Sequence, residues 1–189
     1  VNGTQHVAKT VECNGILYFT KSPEGSNELW RSDGTIAGTF VVTSLPGIRT
    51  PTNVNGFLYF AANDGVHGTE LWKSDGTADG TELVVDLDAR SGASTDPSFL
   101  TNFNGTLYFS AHDRTHGYVL WRSDGTAPGT TIVHDPNYLW FATNPREMTV
   151  LGNEMFYVAA DYLANLGAAD WAELWKVTDA GQTTKTVVM

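Results

Sequence analysis

The sequence predicts an all-β chain built as a β-propeller of four blades, each of four antiparallel strands, and three observations predict it. The phrase Ser-Asp-Gly-Thr-x-x-Gly-Thr recurs at 32–39, 74–81 and 123–130. An aromatic run stands before each copy, "LYF" at 17–19, 58–60 and 107–109, and returns as "MFY" at 155–157. A Leu-Trp pair ends in Trp30, Trp72, Trp121 and Trp175. A strand-rich unit repeated every roughly 40–50 residues is the mark of a propeller. An open portion of a larger ring is the alternative arrangement. The chain is read as a single propeller domain over 1–189, with blades at approximately 1–45, 46–92, 93–140 and 141–189.

Each unit reads as four strands, a to d. Strand a comprises "TVEC", "PTNV", "LTNF" and "MTVL". It runs into Asn14-Gly15, Asn55-Gly56, Asn104-Gly105 and the reversed Gly152-Asn153. Asn-Gly between apolar runs predicts a two-residue hairpin, because a type I′ turn needs positive φ at both central residues. Strand b is the aromatic run. Its apolar residues are consecutive, not alternating, which predicts cover on both faces. Strand c holds Leu-Trp, and its tryptophan predicts packing between blades. Strand d follows the Gly-Thr of the repeated phrase. Helical periodicity is absent apart from a weak pattern over Leu163–Glu173.

Composition excludes several function classes. Net charge is −10 and the pI is about 4.7, and no basic stripe of the kind that tracks phosphates is present, so nucleic acid and anionic membrane surfaces are excluded as partners. Four of the eleven basic residues fill one repeated slot after the tryptophan, Arg31, Lys73, Arg122 and Lys176, which predicts ion pairs with acidic neighbours. No apolar run approaches the ~18 residues of a helical membrane span. No signal peptide is visible and the chain begins at Val1, which reads as a processed form or a fragment. Cys13 is the single cysteine. It occupies the position of Val54 and Phe103 and reads as a small core hydrophobe.

The repeated phrase reads as a c–d turn. Asp33, Asp75 and Asp124 are placed to bond backbone two residues on, as Asx-turns do. A calcium loop is the competing reading, but calcium takes six to eight oxygens, the spacing does not match the twelve-residue calcium-loop pattern, and no cofactor is implied. The phrase resembles, loosely, the Asp-box of sialidase and sugar-binding propellers. With the upstream "NGFLYFAANDGVHGTELW" of the second unit, it is similar to the ELWxxDGT repeat family of bacterial secreted and cell-surface proteins. The resemblance covers nearly the whole chain, although Val119 replaces the family's Glu and the fourth unit lacks a clean "DGT". It implies tandem blades and an extracellular or cell-surface location, and no particular activity. The layout is also similar to four-bladed hemopexin-like propellers.

Features copied in every blade serve closure better than chemistry, so departures from the repeat are the candidates for function. The d–a connection after the third unit carries Tyr138, Trp140 and Phe141 where the second unit has small polar residues. The b–c segment of the fourth unit is longer and carries Tyr162 and Trp171. These aromatics are the predicted contact surface. The competing reading is that they plug the ring or cover an edge. The b–c and d–a loops are expected to share one rim. Asp64 with His67, and Asp113 with His116, are secondary candidates; the equivalent placement of the two pairs favours a loop-ordering hydrogen bond over a metal or acid–base site. The predicted function is a secreted, non-catalytic binding or adhesion module that recognises a glycan or a protein partner. A purely structural unit of an extracellular assembly is the first alternative. A glycan-processing enzyme is the second, and it requires two carboxylates about 5–10 Å apart across a cleft.

Overall fold

The computed structural model describes residues 7–21, 27–134, 144–160, 172–178 and 183–186. Strands β1 (Val7–Cys13), β2 (Ile16–Lys21), β3 (Glu28–Ser32) and β4 (Phe40–Ser44) form the first sheet. The second holds β5 (Arg49–Val54), β6 (Phe57–Asn63), β7 (Thr69–Ser74) and β8 (Thr81–Val85). The third holds β9 (Ser98–Phe103), β10 (Thr106–Asp113), β11 (Gly117–Ser123) and β12 (Thr131–His134). The fourth holds β13 (Arg146–Leu151), β14 (Glu154–Ala160), β15 (Ala172–Thr178) and β16 (Thr183–Lys185). Strand order in each sheet is sequence order and every pairing is antiparallel. No helix occurs among the described residues, and the weak helical pattern at Leu163–Glu173 falls almost wholly outside them. The chain divides into two compact units, Val1–Pro97 with the first two sheets and Ser98–Met189 with the last two.

Local sequence accounts for the hairpins. Cys13 pairs with Ile16, Val54 with Phe57 and Phe103 with Thr106, leaving two residues in each a–b turn. Asn14, Asn55 and Asn104 take φ of 54°, 51° and 50°, followed by positive-φ glycines, as a type I′ turn demands. The reversed Gly152-Asn153 turn differs: only Gly152 has positive φ, 60°, as in a type II′ turn.

Strand d carries a device that the repeat does not announce. In the first three sheets the c–d register slips at the Leu-Trp pair: Leu29 faces Thr43 but Trp30 faces Val41, and Leu71 faces Val85 but Trp72 faces Leu83. The third sheet slips likewise between Leu120 and Trp121. One extra residue on strand d makes a β-bulge, which re-aims the side chain left unpaired. That residue is Val42 in the first sheet and Val84 in the second, and both are buried.

Each sheet has two faces, and paired residues on neighbouring strands share one. In the first unit, Cys13, Tyr18, Leu29 and Val42 of the first sheet form one cluster with Leu58, Phe60 and Ala62 of the second, and Trp72 packs against it. In the second unit, Phe103, Tyr108 and Leu120 of the third sheet cluster with Met155, Tyr157 and Ala159 of the fourth, and Trp175 packs against that. Leu58, Phe60 and Trp72 therefore lie on the face of the second sheet turned back to the first. Tyr18 and Thr20 lie on the face of the first sheet turned forward to the second. The leading face of a sheet is the one turned back, and the trailing face the one turned forward. Cys13 is buried in the first cluster, and burial, helped by the charge of Glu12, pushes its thiol pKa up.

Cover on both faces holds for the middle of the chain. Leu58, Tyr59, Phe60, Ala61 and Ala62 of β6 are all buried, as are Leu107 through Ala111 of β10. It fails for β2 and β14. In β2 only Tyr18 and Thr20, on the trailing face, are buried. In β14 the leading-face Met155, Tyr157 and Ala159 are buried, while Phe156 and Val158 are half-buried.

Candidate functional site

The repeated turn is a closed hydrogen-bond circuit, the same in three copies. In the second sheet the Thr77 amide donates to Asp75 Oδ1 at 2.9 Å and the Thr77 hydroxyl to the same oxygen at 2.7 Å. The Gly80 amide donates to Thr77 Oγ1 at 2.9 Å, and the Thr81 hydroxyl to the Thr77 carbonyl at 2.7 Å. Ser74 Oγ accepts from the Gly76 amide at 3.0 Å and meets Thr81 Oγ1 at 2.8 Å. The turns at 32–39 and 123–130 repeat each bond. The final glycine follows from the same geometry. A Cβ on Gly38, Gly80 or Gly129 would stand 2.0–2.1 Å from the aspartate Oδ1. The Thr35 and Thr77 hydrogen bonds lower the carboxyl pKa of Asp33 and Asp75. The phrase is therefore spent on its own backbone.

The basic slot behind the tryptophan divides in two. Lys73 pairs with Glu82 at 3.0 Å and Lys176 with Glu154 at 2.6 Å, as the sequence predicts. Arg31 instead donates to the Gly76 carbonyl of the second sheet at 3.4 Å and lies over the Phe40 ring, and Arg122 donates to Thr131 Oγ1 at 3.3 Å. The turn of the next sheet and strand d supply the acceptors in these two cases, while the Arg31 charge also helps to lower the carboxyl pKa of its acidic neighbour Asp33.

Glu70 is the polar residue that sequence reasoning missed. It is 0% exposed. Its carboxylate accepts the Thr95 amide at 3.0 Å and the Thr95 hydroxyl at 2.6 Å. Burial pushes its carboxyl up to about 7, against the pull of the Thr95 and Leu87 hydrogen bonds. The amides of Thr95 and Asp96 both donate to the Thr69 carbonyl at 3.1 Å. Glu70 thus ties the d–a connection of the second sheet to strand c. The equivalent Glu28 does something else: its Oε2 accepts the Trp30 indole N–H at 2.8 Å. In the third sheet, where Val119 replaces the acid, the Trp121 indole donates to the Ala111 carbonyl at 3.2 Å.

In the second sheet the b–c loop and the d–a connection meet. A Cβ on Gly68 would stand 2.1 Å from the Ala93 carbonyl oxygen, and the Gly92 amide donates to the Val66 carbonyl at 2.9 Å. In the third sheet the Asn144 amide donates to the Tyr118 carbonyl at 3.1 Å.

An Asp-His pair stands in the b–c loop of the second sheet and another in that of the third. His67 Nδ1 lies 2.6 Å from Asp64 Oδ2, and the amides of Val66 and His67 donate to Asp64 Oδ1 at 2.8 Å. His116 Nδ1 lies 2.7 Å from Asp113 Oδ2, with the Thr115 and His116 amides on Oδ1. Burial works against ionisation of Asp64, but the His67 and Val66 hydrogen bonds outweigh it and hold the carboxyl down at about 2. The hydrogen bond to Asp64 raises the His67 pKa. Each aspartate orders its loop and fixes the ring by Nδ1. The aromatic candidates Tyr138, Trp140, Phe141, Tyr162 and Trp171 lie outside the described residues. Among the described residues no group of three or more His, Cys, Asp or Glu is placed to hold a metal ion, and no helix is long and apolar enough to cross a membrane.

No family model matches the chain, and no curated protein does. Solved structures do. A puromycin hydrolase superposes with a TM-score of 0.64 and 17% identity, over 95% of this chain and 28% of that one. A prolyl endopeptidase structure gives 0.65 and 10%, over 97% of this chain and 26% of that one. TolB from Acinetobacter baumannii gives 0.59 and 13%, over 98% and 44%. The fold is of the β-propeller type. At these identities the likeness concerns fold alone, and this chain spans less than half the length of each of these propeller proteins.

Proposed function

We propose that the four sheets are four propeller blades of a secreted or cell-surface, non-catalytic binding module, and that the module recognises its partner through the rim where b–c loops and d–a connections meet. One observation carries the reading. The serine, aspartate and threonine side chains of the repeat hydrogen-bond within their own turns, so recognition is assigned to the segments that depart from it. Asn144 follows Tyr138, Trp140 and Phe141 in sequence, and its amide donates to the carbonyl of Tyr118, two residues beyond His116. That contact supports reading the segment together with the Asp113–His116 pair. Tryptophan and tyrosine offer a flat apolar face and one polar handle, which suits a sugar ring or a protein surface. The resemblance of the repeat to secreted ELWxxDGT proteins supports the extracellular setting.

The test is a glycan-array screen of the intact chain beside its Trp140→Ala variant, with and without calcium. Selective binding that the variant loses, on the order of tenfold or more in affinity, supports a glycan-binding rim. Absence of binding by a folded wild-type chain removes the glycan and leaves a protein partner. Binding that Trp140→Ala leaves intact contradicts the assignment of the rim.

A further inference from the structure

The leading face of the first sheet carries the residues of a blade interface and is more exposed than its equivalents. Phe19 pairs with Trp30 and Trp30 with Val41, so the three share a face, and Leu17 lies on it beside Ser32. In the second sheet the same register places Phe60, Trp72 and Leu83 in one row, with Leu58 beside Ser74. Residue for residue the two faces match. Their exposure does not. Leu17 is 45% exposed and Val41 37%, whereas Leu58 is 1% exposed and its third-sheet equivalent Leu107 is 0%.

A second observation is independent of apolar area. The trailing face of the first sheet reaches into the repeated turn of the second: the Tyr18 hydroxyl oxygen would stand 2.0 Å from a Cβ on Gly76, and Arg31 donates to the Gly76 carbonyl. The turn's glycine is thus a socket for tyrosine and arginine from the preceding sheet. The equivalent glycine of the first sheet, Gly34, has the same positive φ, 90° against 92°. Among the described residues nothing lies within 4 Å of a Cβ placed on it. Among the described residues the same socket is unfilled in the first sheet.

The chain also carries a surface of the kind that fills it. On the trailing face of the fourth sheet, Phe156 stands at the Tyr18 position, Val158 at the Thr20 position and Lys176, paired with Phe156, at the Arg31 position. Phe156 and Val158 are half-buried where Tyr59 and Ala61 of the second sheet are buried. We infer that the leading face of the first sheet, Leu17, Phe19, Trp30 and Val41 with the Gly34 socket, docks the trailing face of the fourth sheet of a second copy of this chain. Such a contact joins two different surfaces, so it is heterologous and propagates or closes into a ring of copies. It continues the interface already present between the first and second sheets. The inference does not depend on the ligand of the rim.

Sedimentation velocity from micromolar to near-millimolar concentration tests it on the full chain. The account expects a mass that rises with concentration. Leu17→Asp and Val41→Asp, at exposed positions, each weaken association by on the order of tenfold or more, with melting of the dilute protein unchanged. Phe156→Asp weakens it as much. Phe156→Tyr, which supplies the hydroxyl that Tyr18 offers Gly76, strengthens it. A mixture of the Leu17→Asp and Phe156→Asp chains associates more strongly than either alone, because one intact pair of faces is restored. A chain that stays monomeric throughout overturns the inference, whether its own fourth sheet or another protein covers the face. Loss on Leu17→Asp with no effect of either Phe156 substitution also overturns it, since the face then pairs with itself.

Discussion

The first and second sheets are written in nearly the same words and live in different surroundings. Phe19–Trp30–Val41 and Phe60–Trp72–Leu83 occupy one register. Phe60 is fully buried, while Phe19 is half-buried and stacks on Trp30 with ring centroids 6.1 Å apart. Trp30 makes its own arrangements: its indole bonds Glu28 and Lys21 lies 4.8 Å over its ring. Trp72 has a sheet to pack against, and its indole N–H has no hydrogen-bond partner. The difference teaches that the repeat encodes a face, and that the neighbour decides whether the face is core or surface. The glutamates say the same. Glu28 serves its own tryptophan, whereas Glu70 is taken over by Thr95 because a d–a connection folds back across it.

The largest expected effect comes from emptying equivalent positions. Phe60→Ala should cost about 3–5 kcal/mol, the range for a buried aromatic whose cavity cannot collapse. Phe19→Ala, with solvent on one side, should cost about 1 kcal/mol. Chemical denaturation of both variants checks this, and equal losses would break the comparison.

A smaller effect concerns Glu70 and pH. Burial raises the Glu70 carboxyl to about 7 from an ordinary 4.5. Between those values the folded chain binds the proton more tightly than the unfolded chain. Its contribution to stability is therefore complete below about pH 4.5 and is lost as pH rises through about 7. Glu70→Gln, which keeps a neutral acceptor for Thr95, should remove that loss. The expected change in the stability difference across this window is on the order of 1–3 kcal/mol, read from melting curves at both ends. An unchanged pH slope in the variant would show that Glu70 is not the group responsible.

Much of this was legible before any coordinates. The Asn-Gly pairs mark type I′ turns by a local steric rule, and the Asp of each "SDGT" bonds its own backbone because the partners are two residues away. Cys13 reads correctly because its position is occupied by Val54 and Phe103 elsewhere. What stayed hidden depends on distant chain. The bulges that turn Val42 and Val84 inward look like ordinary apolar residues in strand d. Glu70 and Glu28 share a motif, and Thr95, 25 residues on, distinguishes them. Arg31 finds the turn of the next sheet, which no local charge pattern announces. The consecutive apolar run of β2 looks like that of β6, yet its leading side lacks the cover that β6 receives. The aromatic segments at 138–141 and 162–171 were visible as departures from the repeat, and they lie outside the described residues.

The most direct measurement is the thiol-labelling rate of two introduced cysteines, Leu17→Cys and Leu58→Cys, each in the otherwise native chain at micromolar concentration. Cys13 is buried and serves as the slow internal background. The account predicts that the Leu17 probe reacts as an exposed thiol, while the Leu58 probe reacts only through opening of the fold, about a thousandfold slower or more. Raising the concentration should slow the Leu17 probe alone. Comparable rates at the two positions would contradict the claim that one repeated face is core in the second sheet and an open interface in the first.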